Sequence, residues 1–211
     1  MPAPRNSSLE VVPATGAVWP LLEALFREGG DPRWCWCQYW RLRSKDFSAA
    51  KVPELRTRLR AQAESDTPPG LVALQSAGDS LEDGATTRAV GWASVGPRSD
   101  FERIVRSRVI PTIDERPVWS INCFAVSAFA RGRGVARALL DGAIAFAREH
   151  RAEALEAYPV LVGEAGEGIH PESAFTGTLP MFERAGFRVV ADRASDPSST
   201  TQRVVVRLEL R

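Results

Sequence analysis

A chain of 211 residues can enclose one sizeable hydrophobic core, and no break in composition marks a second domain, so one domain spanning 1–211 is expected. Its 27 basic and 26 acidic side chains are interspersed and leave a net charge of +1, which argues against a broad nucleic-acid surface or a polybasic membrane contact. No apolar run approaches membrane length, and residues 1–13 lack the basic patch and apolar stretch of a secretion signal, so the expected location is the cytoplasm.

Residues 9–12 read as a short first strand, and 17–27 as an amphipathic helix with Val18, Leu21, Leu22, Leu25 and Phe26 at helical spacing. The run Gly29-Gly30-Asp31-Pro32 ends it. A second helix is expected over 52–64, with Pro53 suited to its first turn. Residues 71–75 and 88–95 read as antiparallel strands joined by a polar loop over 76–87. The apolar run 118–126 is the expected central strand, and 135–150 an alanine-rich helix that can sit close to a sheet. A parallel neighbour strand is expected over 154–160. Residues 163–177 are too long and polar for a routine connection, which suggests a lid. A short helix over 179–184 ended by Gly186, then strands over 187–190 and 204–210, complete the chain.

Between the central strand and the alanine-rich helix stands Arg131-Gly132-Arg133-Gly134-Val135-Ala136-Arg137. The first amides of a helix have no partner within it, and the dipole adds positive potential, so this order builds an anion site. Glycines allow a sharp turn and close backbone approach, and the arginines add charge. A plain surface turn is the alternative. A dinucleotide fingerprint fits worse, because Arg137 holds the third glycine position, and no Gly-Lys-Ser/Thr of a P-loop follows.

The stretch, with its strand before and helix after, resembles the acyl-CoA pyrophosphate loop, Gln/Arg-x-x-Gly-x-Gly/Ala, of the GNAT superfamily of N-acetyltransferases. Met181-Phe182-Glu183-Arg184-Ala185-Gly186-Phe187 is similar to that family's Tyr-Glu-x-x-Gly-Phe segment, and the element order matches from end to end. The chain also resembles a bacterial subgroup through Trp34-Cys35-Trp36-Cys37, the run 91–98, Tyr158-Pro159-Val160 and Phe175-Thr176-Gly177-Thr178. The resemblance implies an α/β (α+β) GNAT fold: a mixed, mostly antiparallel sheet with splayed fourth and fifth strands, flanked by helices. It implies acetyl-CoA as acyl donor, with Phe124, Ala125 and Val126 lining the pantetheine arm and the amides of Arg131, Gly132, Arg133, Gly134, Val135, Ala136 and Arg137 holding the pyrophosphate. By the same analogy the Val126 amide is the oxyanion donor.

Acyl transfer needs a neutral amine, a stabilised carbonyl oxygen and a proton for the leaving thiolate. Phe182 occupies the position where many family members carry a tyrosine near the thiolate, and it has no proton to give. The thiolate must then leave unaided or take a proton from Tyr158, Thr176, Thr178 or water. Glu156 is the first candidate base, because on a strand it shares a face with Tyr158; the alternative is a solvated strand-end carboxylate. Asn122 and Ser120 are candidates to orient a water or the acceptor, or make structural hydrogen bonds. His170 is a second candidate base if the 163–177 segment closes, and His150 suits the negative end of its helix.

The cluster of Cys35 and Cys37 with Trp34, Trp36, Tyr39 and Trp40 reads better as an acceptor-pocket wall or core than as a metal site, because Cys123, His150 and His170 are the only other Cys or His candidates. Cys123 is either a buried thiol or an acyl-enzyme nucleophile. Trp34, Trp36, Trp92 and Trp119 suggest an apolar component to the acceptor. The expected activity is therefore acetyl transfer from acetyl-CoA to a primary amine of a small molecule by direct attack in a ternary complex. Neither nucleic acid nor membrane is an expected partner, and a homodimer stays open. The alternative, supported by Phe182, is a non-catalytic acyl-CoA-binding sensor or partner protein; a metal- or redox-responsive regulator built on the cysteines is a third.

Overall fold

The computed structural model describes residues 8–28, 30, 32–76, 87–160, 174–192 and 204–211. Among these the strands are β1 (Ser8–Pro13), β2 (Gly70–Ser76), β3 (Thr87–Pro97), β4 (Trp119–Val126), β5 (Ala154–Ala157), β6 (Arg188–Asp192) and β7 (Val204–Glu209). The helices are α1 (Trp19–Arg27), α2 (Pro32–Cys35), α3 (Ser44–Ala49), α4 (Val52–Ala63), α5 (Glu102–Val105), α6 (Val135–Glu149) and α7 (Leu179–Glu183). The strands join in one sheet ordered β1-β2-β3-β4-β5-β7-β6. Only β4 and β5 run parallel; every other neighbouring pair is antiparallel.

Strand alternation sends β2 side chains to opposite faces: Leu71 and Ala73 join the cluster under α6, while Val72 and Leu74 meet α1 and α4. On α1 the buried residues are Trp19, Leu22, Leu25 and Phe26, and on α4 they are Leu55, Leu59 and Ala63, spaced so that one helical face turns inward. Helix α6 buries Val135, Leu139, Leu140, Ala143, Ile144, Phe146 and Ala147. It lies so close to the sheet that a Cβ at Gly142 would come within 2.7 Å of Val11. The face opposite α6 carries two clusters. One sits with α1 and α4 over β2 and β3; the other, with Trp40, Phe101, Ile104, Ile110, Tyr158 and Val205, sits over β5 and β7.

Strand β4 is interrupted at the point where it matters for the site. Val95 of β3 faces Ile121 and Ser94 faces Cys123, so Asn122 is an extra residue, a β-bulge that bends the strand and breaks its ladder. Pairing with β5 runs from Trp119↔Leu155 to Ile121↔Ala157 and ends where the bulge begins. Beyond it the two strands part.

The strand expected over 154–160 therefore stops at Ala157. Pro159, with no N–H to give a ladder, follows, and Val160 instead bridges in parallel to Thr178. The helix expected from residue 17 starts as a 3-10 turn, Gly16–Val18, before α1, whose first turn accepts Pro20. Helices α2, α3 and α5 are too short to give a periodic signal and were not expected. Most of the 163–177 segment, His170 included, lies outside the described residues, as do residues 77–86; its end forms a 3-10 turn, Ala174–Thr176.

Candidate active site

At the foot of α6 the expected loop is open to solvent. Arg131, Gly132, Arg133 and Gly134 are exposed, and Gly132 and Gly134 have φ of 71° and 81°, the left-handed region that glycine adopts without a Cβ clash. A Cβ built on either would meet nothing within 4 Å, so the loop presents bare backbone. The first helical bond is from Ala138 N–H to Gly134 O at 3.0 Å, which leaves the amides of Val135, Ala136 and Arg137 without a helical acceptor. No side chain caps this end and no acidic residue stands in its first turn, so its positive potential is unspent. Arg131 Nε donates to Val126 O at 3.4 Å and ties the loop to the end of β4. Arg137 is instead held by Asp141 at 2.9 Å on its own helix.

Where β4 and β5 part, Asn122 is fully buried, and neither its Nδ2 nor its Oδ1 has a hydrogen-bond partner among the described residues. A buried amide without partners costs roughly 1–3 kcal/mol, so a polar group of a bound molecule gains by meeting it. Phe124 is buried, while Ala125 and Val126 are half-buried. On the α6 face the ring of Phe124 packs 6.2 Å from that of Phe182, which also packs 5.1 Å from Phe187. The expected family tyrosine position is thus filled by an apolar ring inside the core.

On the opposite face, Ser120, Glu156 and Arg207 are cross-strand partners on β4, β5 and β7 and form one row. Tyr158, buried beside this row, donates its hydroxyl to Glu156 Oε2 at 3.2 Å and lies 3.2 Å from Ser120 Oγ. Burial first, and the Glu156 charge second, push the Tyr158 hydroxyl above its ordinary range, so it stays protonated. Glu156 is no solvated strand-end group: it is 1% exposed, and Arg207 donates to its Oε1 at 2.6 and 3.2 Å. Arg98 Nε stands 3.5 Å from the other oxygen. Asp114 holds Arg207 from the far side at 2.6 and 3.3 Å, and is itself held by Arg116. The Arg207 guanidinium keeps the Asp114 carboxyl well below the usual range.

Glu156, Tyr158 and Asn122 are thus gathered about the parting strands, and the loop of α6 is tied to the same strand's far end. Arg98, Asp114 and Arg207 were not foreseen. A signal existed for Arg207, a lone arginine inside the apolar run Val204-Val205-Val206-Arg207-Leu208. Of the tryptophans, Trp36, Trp92 and Trp119 belong to the core, whereas Trp34 is 58% exposed. His150 caps α6 with Nδ1 2.9 Å from Phe146 O and packs on the Trp119 ring. Arg103 donates to Tyr39 O at 2.7 Å and covers the Tyr39 ring.

The model of the acetyltransferase (GNAT) family matches residues 36–164, and the chain belongs to that family and is an acetyltransferase. No curated protein matches it in sequence. Among solved structures it is similar to a protein from Desulfovibrio desulfuricans ascribed to GNAT acetyltransferases, at 16% identity, TM-score 0.51, over 98% of this chain and 100% of that one. It is similar to Arabidopsis thaliana NAA60 in complex with acetyl-CoA, at 14% identity, TM-score 0.51, over 96% and 99%. A chain of the NatC complex bound to Gag peptide and CoA gives 13% identity, TM-score 0.53, over 97% and 99%. These likenesses show the fold: a seven-stranded mixed sheet flanked by helices, parallel only where β4 meets β5. No helix among the described residues is long and apolar enough to cross a membrane.

Proposed function

We propose that the protein transfers acetyl from acetyl-CoA to a primary amine of a small molecule, by direct attack within a ternary complex. The observation that carries this reading is the β-bulge at Asn122, which parts β4 from β5 and leaves at the fork a buried amide with no partner among the described residues, on the strand that leads to the bare-backbone loop of α6. In this reading the backbone of Arg131, Gly132, Arg133, Gly134, Val135, Ala136 and Arg137 receives the pyrophosphate, and Phe124, Ala125 and Val126 line the pantetheine arm. Asn122 orients the acceptor or the thioester carbonyl. The acetyl-CoA structure of a similar fold supports the choice of donor.

An ammonium group must lose its proton before it attacks. Tyr158 takes that proton as its own passes to Glu156 Oε2, to which it already donates at 3.2 Å. Arg207, with Arg98 nearby, balances the Glu156 charge while it waits. No acid is needed at the sulfur, because a thiolate is a good leaving group at neutral pH. Calorimetric titration with acetyl-CoA and CoA, followed by a thiol-release assay over a panel of amines, tests the reading. Micromolar binding and release with a small amine are expected; absence of binding, or binding with no release for any amine, refutes it.

A further inference from the structure

Three thiols from two distant parts of the sequence meet on the sheet face opposite α6. Cys35 ends α2, Cys37 follows it in a tight turn, and Cys123 lies on β4 immediately after the bulge residue Asn122. Cys37 Sγ points at Cys123 Sγ from 3.8 Å, although the two residues are 86 positions apart in sequence. Trp36 and Cys37 both adopt left-handed backbone, with φ of 44° and 48°. Such a conformation is uncommon in residues with a Cβ, so the packing around the turn, not local preference, sets where the Cys37 thiol sits. Trp92 Nε1 adds a second constraint by donating to Cys37 Sγ at 2.9 Å. Among the described residues no group of three or more His, Cys, Asp or Glu side chains is placed to hold a metal ion.

We infer that Cys37 and Cys123 form a redox-modification site, closing to a reversible intramolecular disulfide in the presence of a low-molecular-weight disulfide such as glutathione disulfide. Cys123 is partly exposed and Cys37 is 4% exposed, which fixes the order of events. The Cys123 thiolate attacks glutathione disulfide, forming a mixed disulfide and releasing one glutathione thiolate. Cys37 then gives up its proton to solvent, and its sulfur attacks the Cys123 side of the mixed disulfide, expelling the second glutathione. Two cysteine thiols are oxidised and one glutathione disulfide is reduced to two thiols. While Cys123 is a free thiol, the hydrogen bond that Cys37 makes to it raises the Cys37 thiol well above its ordinary range, which makes Cys37 the poorer first attacker. The bond would fasten the 36–40 turn to β4 one residue from Asn122. The inference does not depend on the identity of the acceptor.

The test is incubation of the reduced, folded full chain with excess glutathione disulfide, followed by blocking of remaining thiols and peptide mapping without reduction. A crosslinked peptide joining Cys37 to Cys123 is expected, with loss of the two thiol hydrogens, and dithiothreitol should restore three reactive thiols. Cys35→Ser should still form the crosslink, whereas Cys123→Ser should leave Cys37 unmodified. A product that joins Cys35 to Cys37, a mixed glutathione adduct that never resolves, or three unchanged thiols would each overturn the assignment. Because wild-type protein carries the decisive map, misfolding of a variant cannot rescue the idea.

Discussion

Removing the Arg207 guanidinium should unmask the cost of a buried carboxylate. In Arg207→Met the side chain, 4% exposed in the native protein, is replaced by an apolar one of similar length, while Glu156, 1% exposed, loses its donors at 2.6 and 3.2 Å. Breaking a buried pair from one side costs about 3–5 kcal/mol, because the remaining charge has neither water nor partner. Arg98 Nε, 3.5 Å from the other Glu156 oxygen, stays in place and pulls the expected value toward the lower end. In a domain of this size, each kcal/mol corresponds to roughly 2–4 °C, so the thermal midpoint should fall by about 6–20 °C. Adding Glu156→Gln removes the stranded charge, and the double variant should recover more than half of the loss. Denaturant unfolding at pH 7, followed by circular dichroism with the slope checked for constancy, gives both values. A cost for Arg207→Met below about 1 kcal/mol would refute the reasoning, as would additive costs in the double variant.

Gly134→Val should raise the acetyl-CoA dissociation constant at least about tenfold, since a β-branched residue at φ 81° costs about 1–2 kcal/mol to hold and projects into the open side of the loop; unchanged affinity in a folded variant rejects the pyrophosphate loop. Tyr158→Phe should lower kcat by about 10²–10⁴ and leave CoA binding unchanged, and a rate within a factor of two of wild type removes Tyr158 from the proton path. Asn122→Leu should stabilise the free protein by about 1 kcal/mol, because its amide has no partner among the described residues, yet weaken turnover; a loss of stability would mean that the amide is satisfied in the free protein. Asp114 carries a depressed carboxyl, so its contribution to stability is present above the unfolded value near pH 4 and disappears as pH falls further. Asp114→Asn should therefore show a smaller drop in stability between pH 5 and about pH 2 than wild type in acid-unfolding curves, and identical drops would count against the pairing with Arg207.

Much of the architecture was legible because it rests on local pattern. The spacing of Leu22, Leu25 and Phe26 marked α1, and the glycine loop between an apolar strand and an alanine-rich helix marked α6 and its open N-terminus. What the chain order could not reveal was lateral register. The bulge at Asn122 exists only because Ser94 and Val95 of a different strand face Cys123 and Ile121, and no periodicity within β4 encodes that. Glu156 is the candidate base in the sequence, with a solvated strand-end carboxylate as the alternative, and that alternative stays open for the same reason: its neutralising partner Arg207 lies 51 positions away and becomes adjacent only through the β5–β7 pairing. Short helices such as α2 and α5 escaped because a single turn offers no repeat to detect.

The replacement of the family's tyrosine by Phe182 fits this distribution of polar groups better than it first suggests. In the proposed reaction the two proton problems are unequal. An alkyl amine near the lysine range is protonated at pH 7 to all but about one part in 10³, whereas a thiol titrates only one or two units above neutrality. Help in removing the amine proton therefore gains more than help in protonating sulfur. The chain places its polar network accordingly: Tyr158, Ser120, Glu156 and Arg207 occupy one face of the parting strands, and Phe182 packs with Phe124 and Phe187 on the other. In that proposed reaction the apolar ring on the α6 face would keep water from one side of the thioester, and the Tyr158 hydroxyl on the other face is the one that an incoming amine would meet.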